Sequence, residues 1–331
     1  MVASQTSSYT TLKLIAAAII IPAVAFVLCT LLKANYDAHR LLYSGCRGER
    51  DSLEAEGYTT EPVTIRSRDG ITLEGWYSPG SAHPEIAIVV LPGQGSNTCY
   101  ALPEAKLLAD AGYSTLVFEH RTCKDPMLPA TAGVHEARDL RGAVDYLASR
   151  PDVEHIGVLG FTEGGTASIL AAAEDARIEA VVSVGSYATL EDRLLEPDPN
   201  ADFYDRLLRR VTLWFIEREG IPLDEARPVD VVGKIAPRPL LLIHAGCDEL
   251  DGLRLMEAAS PESTELWIAE DAGRGGLAQF DPVAYTDRVT RFFDAAFGVT
   301  NSRAAEIRPS RNESAWETEP TGELSPASPT R

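Results

Sequence analysis

The stretch Gly160-Phe161-Thr162-Glu163-Gly164-Gly165 decides the fold. The apolar run Ile156-Gly157-Val158-Leu159 precedes it, and Thr166-Ala167-Ser168-Ile169-Leu170-Ala171-Ala172-Ala173 follows. The run predicts a buried strand, and the small-residue pattern predicts a helix. The glycines between them predict a sharp turn and close strand–helix packing. A strand, a glycine-flanked turn and a helix are the setting of the G-x-S-x-G nucleophile elbow. Thr162 stands at the serine position of that motif.

Working outward, other segments have the same character. Ile71-Thr72-Leu73-Glu74-Gly75-Trp76-Tyr77 follows Arg68-Asp69-Gly70, which predicts a turn between two alternating strands. Ile86-Ala87-Ile88-Val89-Val90-Leu91 reads as a buried strand running into Pro92-Gly93-Gln94-Gly95. A helix ending at Gly112 leads into Tyr113 to Phe118, then Glu119-His120-Arg121. Pro239-Leu240-Leu241-Leu242-Ile243-His244-Ala245-Gly246-Cys247-Asp248 reads as a strand and its loop. Tyr285, Val289, Phe292 and Phe293 mark a terminal helix. Alternating strands and helices predict an α/β domain, a mostly parallel sheet covered on both faces. Its site is expected at the carboxyl ends of the strands.

Taken in order, these motifs resemble the α/β-hydrolase family, nearest its esterase and dienelactone-hydrolase-like branches, over residues 60–298. The resemblance implies a helical cap, matched by the insertion at about 186–231. It implies a nucleophile at Thr162, an acid at Asp248 and a base in the segment before the terminal helix. It also implies oxyanion-hole amides at Gln94 and Glu163. Asp271-Ala272-Gly273-Arg274-Gly275-Gly276 puts Arg274 at the base position, and no histidine follows Asp248. Arginine stays protonated, so it cannot accept the nucleophile's proton. It can pair with Asp248 and keep the shape of the site. Thr162 adds a β-branched side chain where the elbow demands positive φ. The expectation is a protein weakly active or inactive as a hydrolase, with a ligand-binding or scaffold role. The alternative is an acyl hydrolase using Thr162 or an activated water.

The remaining histidines are read as structural. His120 ends a strand two positions from the elbow, about 10 Å away. His244 lies in its strand as a core residue. Glu163 follows the elbow; it packs or pairs, or else holds a water or cation.

The chain has 331 residues, 45% apolar, and a formal net charge of −19. That acidity excludes a nucleic-acid role, which needs a basic face. After a segment at 1–13, Leu14 to Leu32 is an uncharged apolar run that would span about 28 Å as a helix. It predicts a single-pass membrane anchor; the competing reading is a cleaved signal peptide, whose apolar region is normally shorter. Lys33, Arg40, Arg47 and Arg50 after the span favour a cytoplasmic main domain. Residues 33–59 are expected to be a charged, helical juxtamembrane connector. Residues 299–331, rich in Ser, Thr, Pro and Glu, are expected to be disordered. The five cysteines show no metal or disulfide spacing. No cofactor or metal motif stands out. The expected partners are the membrane and a small apolar ligand or ester, with no protein partner indicated.

Overall fold

The computed structural model describes residues 2–43, 45–48, 50–195, 201–270, 272 and 281–300. Arg274 and the tail from 301 onward lie outside the described residues.

Eight strands form one sheet: β1 (Glu61–Arg66), β2 (Thr72–Ser78), β3 (His83–Leu91), β4 (Tyr113–Phe118), β5 (His155–Phe161), β6 (Ile178–Val184), β7 (Leu240–Ala245) and β8 (Thr264–Ala269). Their spatial order is β1-β2-β4-β3-β5-β6-β7-β8. β2 pairs antiparallel with both β1 and β4, and the pairs from β4 to β8 are parallel. The mostly parallel sheet read from the sequence is the one observed. Its central strands are buried on both faces, so β4 and β7 show no exposed residue. Continuous apolar runs, rather than alternation, follow from that double coverage.

Helices α2 (Leu102–Asp110), α3 (Arg121–Lys124), α4 (Val134–Ala148), α5 (Glu163–Glu174), α6 (Leu190–Leu195), α7 (Phe203–Arg218), α8 (Glu249–Ala258) and α9 (Pro282–Phe297) complete the domain. One core holds Leu140, Val144 and Leu147 of α4 and Ile169 of α5 against the sheet. The other holds Leu108 of α2 and Tyr285, Val289 and Phe293 of α9 against the opposite face. The positions expected for the terminal helix are therefore its buried stripe.

The amino-terminal helix α1 runs Val2–Leu42. It is long and apolar enough to cross a membrane from Lys13 onward, and its apolar side chains there are almost all exposed. A helix of this length rises about 60 Å, roughly twice a bilayer core. Its carboxyl end packs on the domain. Ala38 and Leu42 are buried with Ile216 of α7 and with Ile221, and Phe26 meets Tyr204 at 5.5 Å between ring centres. The insertion thus packs against the carboxyl-terminal end of α1 and leaves the rest of its apolar surface exposed.

The connector differs from expectation. The helix stops at Leu42, and the chain then runs as a strap with one short turn, Leu53–Glu56. The strap is held by a bridge between Arg47 and Ser96, by Asp51 and Thr98, and by Arg50 on buried Glu119 at 2.8 Å. Cys46 and Cys123 form a disulfide, a pairing that the spacing of the cysteines along the sequence does not show. Spacing could not show it, because the two lie 77 residues apart and only the strap brings them together.

Candidate functional site

β5 ends at Phe161 and α5 begins at Glu163, so Thr162 alone makes the turn. Its backbone sits at φ 48° and ψ −107°. That conformation is strained for a β-branched residue. Neighbours hold it. Thr162 N donates to Val184 O at 2.7 Å, and Thr162 O accepts from Thr166 N at 3.0 Å.

The glycines around it are sterically required. A Cβ on Gly160 would lie 2.2 Å from Gly164 O, and one on Gly164 would lie 2.7 Å from Pro92 O. Both obstructions are backbone, which cannot swing aside. Gly160→Ala is therefore expected to destabilise the chain by about 3 kcal/mol, the upper end of ordinary overpacking. Urea unfolding checks it; an unchanged midpoint would show that the turn can open.

The Pro92–Gly95 loop lies against the elbow. A Cβ on Gly93 would come 2.5 Å from Thr162 Oγ1. Among the described residues, neither the Gln94 nor the Glu163 amide makes a hydrogen bond. The Gln94 side chain donates to Leu41 O at the end of α1, and Gln94 O accepts from Arg47 at 3.4 Å. The loop after β3 is thus tied to the strap and to the long helix.

Asp248 ends the short turn after β7 and is buried. Gly185 separates it from the elbow: a Cβ there would sit 3.4 Å from Asp248 Oδ2 and 3.8 Å from Thr162 Cγ2. Asp248 Oδ2 has no hydrogen bond among the described residues. The structure therefore brings Thr162, Asp248 and the Gln94 loop to one edge of the sheet. Arg274, the residue at the base position, lies outside the described residues.

All six histidines are described, and among the described residues none hydrogen-bonds Thr162. His155 meets Glu179 at 2.8 Å, His83 lies by Glu85, and His39 lies on Tyr43. His135 is on α4, where burial and then the Arg121 and Arg138 charges lower its pKa. His244 is wholly buried, with Nδ1 4.0 Å from Asp248 Oδ2 and neither ring nitrogen hydrogen-bonded among the described residues. Burial lowers its pKa to about 4 despite the Asp248 charge, so it is neutral at pH 7.

His120 turns inward instead of toward Thr162. Its Nε2 lies 3.5 Å from Glu163 Oε2 and 3.7 Å from Glu136 Oε1. Burial opposes its protonation, but the Glu163 and Glu136 carboxylates outweigh that and raise its pKa. Glu163 moves up as well, first through burial and then through the charge of Glu136. Beside this group Arg121 is buried and binds Asp139 with Nε at 2.8 Å and Nη2 at 2.6 Å, and Asp69 at 2.9 Å. This buried cluster was not legible in the sequence as a unit, because its members come from the β1–β2 turn, the start of α3, α4 and α5.

This architecture, with the strained turn after the fifth strand and an acid after the seventh, is the α/β-hydrolase fold. Esterase Pf2001 of Pyrococcus furiosus superposes with a TM-score of 0.62 at 20% identity, over 76% of this chain and 96% of that one. The α/β hydrolase GrgF from Penicillium sp. sh18 gives a TM-score of 0.56 at 21% identity, over 72% and 99%. In sequence the chain is 22% identical over 244 residues to the uncharacterised protein YfhR of Escherichia coli K12, covering 70% of this chain and 78% of YfhR. It is 25% identical over 262 residues to the uncharacterised protein Rv2307c of Mycobacterium tuberculosis, 76% and 86% of the two chains. Polyketide transferase ATR5 of Stachybotrys chlorohalonatus is 28% identical over 193 residues, 55% and 60% of the two chains. No protein-family model matches the chain.

Proposed function

We propose that this is a membrane-anchored α/β-hydrolase-fold protein with little or no hydrolase turnover, serving as a ligand-binding or scaffold protein. One observation carries the reading: no imidazole contacts the Thr162 hydroxyl among the described residues, while the acid and the two amides remain beside it. A hydroxyl attacks only when a base takes its proton. With Thr162 as the nucleophile position, Asp248 as the acid position and Arg274 as the base position, the proton has nowhere to go. The Gln94 and Glu163 amides would still polarise a bound carbonyl. A site that polarises without completing transfer suits a bound ester or small apolar ligand.

The test is direct. The purified chain is assayed with short p-nitrophenyl esters beside Thr162→Ala. The expected rate is no more than a slow background, equal in both proteins. Saturable hydrolysis that disappears in Thr162→Ala would overturn the reading and favour the alternative, an acyl hydrolase with a threonine nucleophile.

Anchoring rests on α1, whose apolar stretch is exposed along its length. Orientation is pulled two ways. The basic residues after the span favour the cytoplasm. The Cys46–Cys123 disulfide favours an oxidising compartment, where such bonds persist. A covalent bond within the folded domain is the more direct observation, so we take the domain to face the oxidising side.

A further inference from the structure

We propose that His120, Glu136 and Glu163 form a buried site for one divalent transition-metal ion of the zinc type, directly beneath the elbow. One ligand atom from each lies within 4.8 Å of the others, and all three residues are buried. A tetrahedral ion with bonds of about 2.0–2.1 Å holds its ligand atoms roughly 3.4 Å apart. His120 Nε2 is already 3.5 Å from one carboxylate and 3.7 Å from the other. The Glu136 and Glu163 oxygens, within 4.8 Å of each other, would draw together by up to about 1.4 Å.

Three further observations point to an occupant. A small cavity of about 10 Å³ lies beside the group, lined by His120, Glu136 and Asp139 and by the apolar Leu91, Pro92 and Phe118. That is room for one small ion or water and nothing larger. Among the described residues, His120 Nε2 and both Glu163 oxygens are buried without a hydrogen bond, with Nε2 and Oε2 3.5 Å apart. A buried carboxylate left in that state is costly unless something pairs with it. The local charge is also short of cations. Glu136, Asp139 and Asp69 surround Arg121, which is engaged by Asp139 and Asp69, and Glu163 lies against His120. Even a protonated His120 leaves an excess of negative charge, and a divalent ion would remove it.

The surroundings support ligation. His120 Nδ1 lies 2.8 Å from Thr122 Oγ1, so Nδ1–H can donate there and leave Nε2 free to bind. Thr122 N also points at Nδ1 at 3.3 Å, and that longer contact is the one given up. Glu136 is oriented by Thr131 Oγ1 at 2.8 Å and Gly133 N at 2.9 Å. One nitrogen and carboxylate oxygens, with no sulfur, suit Zn²⁺ or Mn²⁺ better than a soft ion. The ion would join the end of β4, the first turn of α4 and the first residue of α5. It would thereby brace the residue that follows Thr162.

The experiment uses the full chain in detergent, free of any histidine tag and stripped with chelator. Zn²⁺ is titrated calorimetrically, with Mg²⁺ as comparator, and thermal unfolding is followed in parallel. The expected result is one Zn²⁺ per chain, a higher melting temperature with the ion, and at least about 100-fold weaker binding in both Glu163→Gln and His120→Gln. Co²⁺ substitution of the unaltered chain gives a reading that does not depend on the variants folding. Its visible spectrum should show nitrogen and oxygen ligation without thiolate charge-transfer bands. No stoichiometric Zn²⁺ uptake, thiolate bands from Cys99 or Cys247, or binding undiminished in both variants would each overturn the proposal.

Discussion

Thr162→Ser combined with Arg274→His is expected to raise ester hydrolysis by at least about 10²–10³-fold over the parent chain. The scaffold is prepared for it. The elbow already holds φ 48°, the glycine loop already meets the hydroxyl, and Asp248 Oδ2 is buried with no hydrogen bond among the described residues. Serine removes the methyl from a strained backbone position and frees the attacking oxygen. Histidine supplies the base and gives Asp248 an imidazole to orient. In subtilisin, removing the histidine costs on the order of 10⁶ in turnover, while the remaining hole and binding keep about 10³–10⁴ over water. Only part of that gap should be recovered, because the new imidazole has no evolved positioning. Each single change should do little, since members of a triad act as a unit. The measurement is steady-state hydrolysis of p-nitrophenyl acetate and butyrate, with a phosphonate trap to detect the acyl-accepting hydroxyl. A folded double variant that neither turns over nor labels would show that the cleft itself is closed.

Reducing the Cys46–Cys123 bridge, or changing Cys46→Ser, is expected to lower stability by about 4 kcal/mol, from the chain entropy of the loop it closes. The loop spans 77 residues and contains β1 to β4, so the bridge restrains half of the sheet in the unfolded chain. For a domain of this size the loss should appear as a fall in melting temperature of roughly 8–15 °C. The same bond reports on orientation. Alkylation of intact cells before lysis should leave Cys46 and Cys123 unmodified while reaching free thiols. Full alkylation of both would return the domain to the reducing side and remove the argument for an oxidising compartment.

The fold could be read because its signals are local. A buried parallel strand must be apolar throughout, and β3, β5 and β7 announce themselves in this way. The elbow could be read because its turn admits only glycine at Gly160 and Gly164, whatever residue stands at Thr162. The helical reading of the connector holds for 33–42, where the long helix continues, and fails beyond Leu42, where tertiary contacts turn 45–48 and 50–60 into a strap. The insertion at about 186–231 was legible as a helical cap, but its partner α1 lies far away in sequence.

The sequence by itself determined the alternating α/β layers, the glycine-flanked turn at Thr162 and the absence of any histidine after Asp248, because each depends on residue type at short range. Only the tertiary structure decided that Cys46 meets Cys123, that Gln94 touches the end of α1, and that His120 turns from Thr162 toward Glu136 and Glu163. Those pairings join residues from separate elements. They arise when the sheet twists and the helices pack, and no spacing along the chain encodes them.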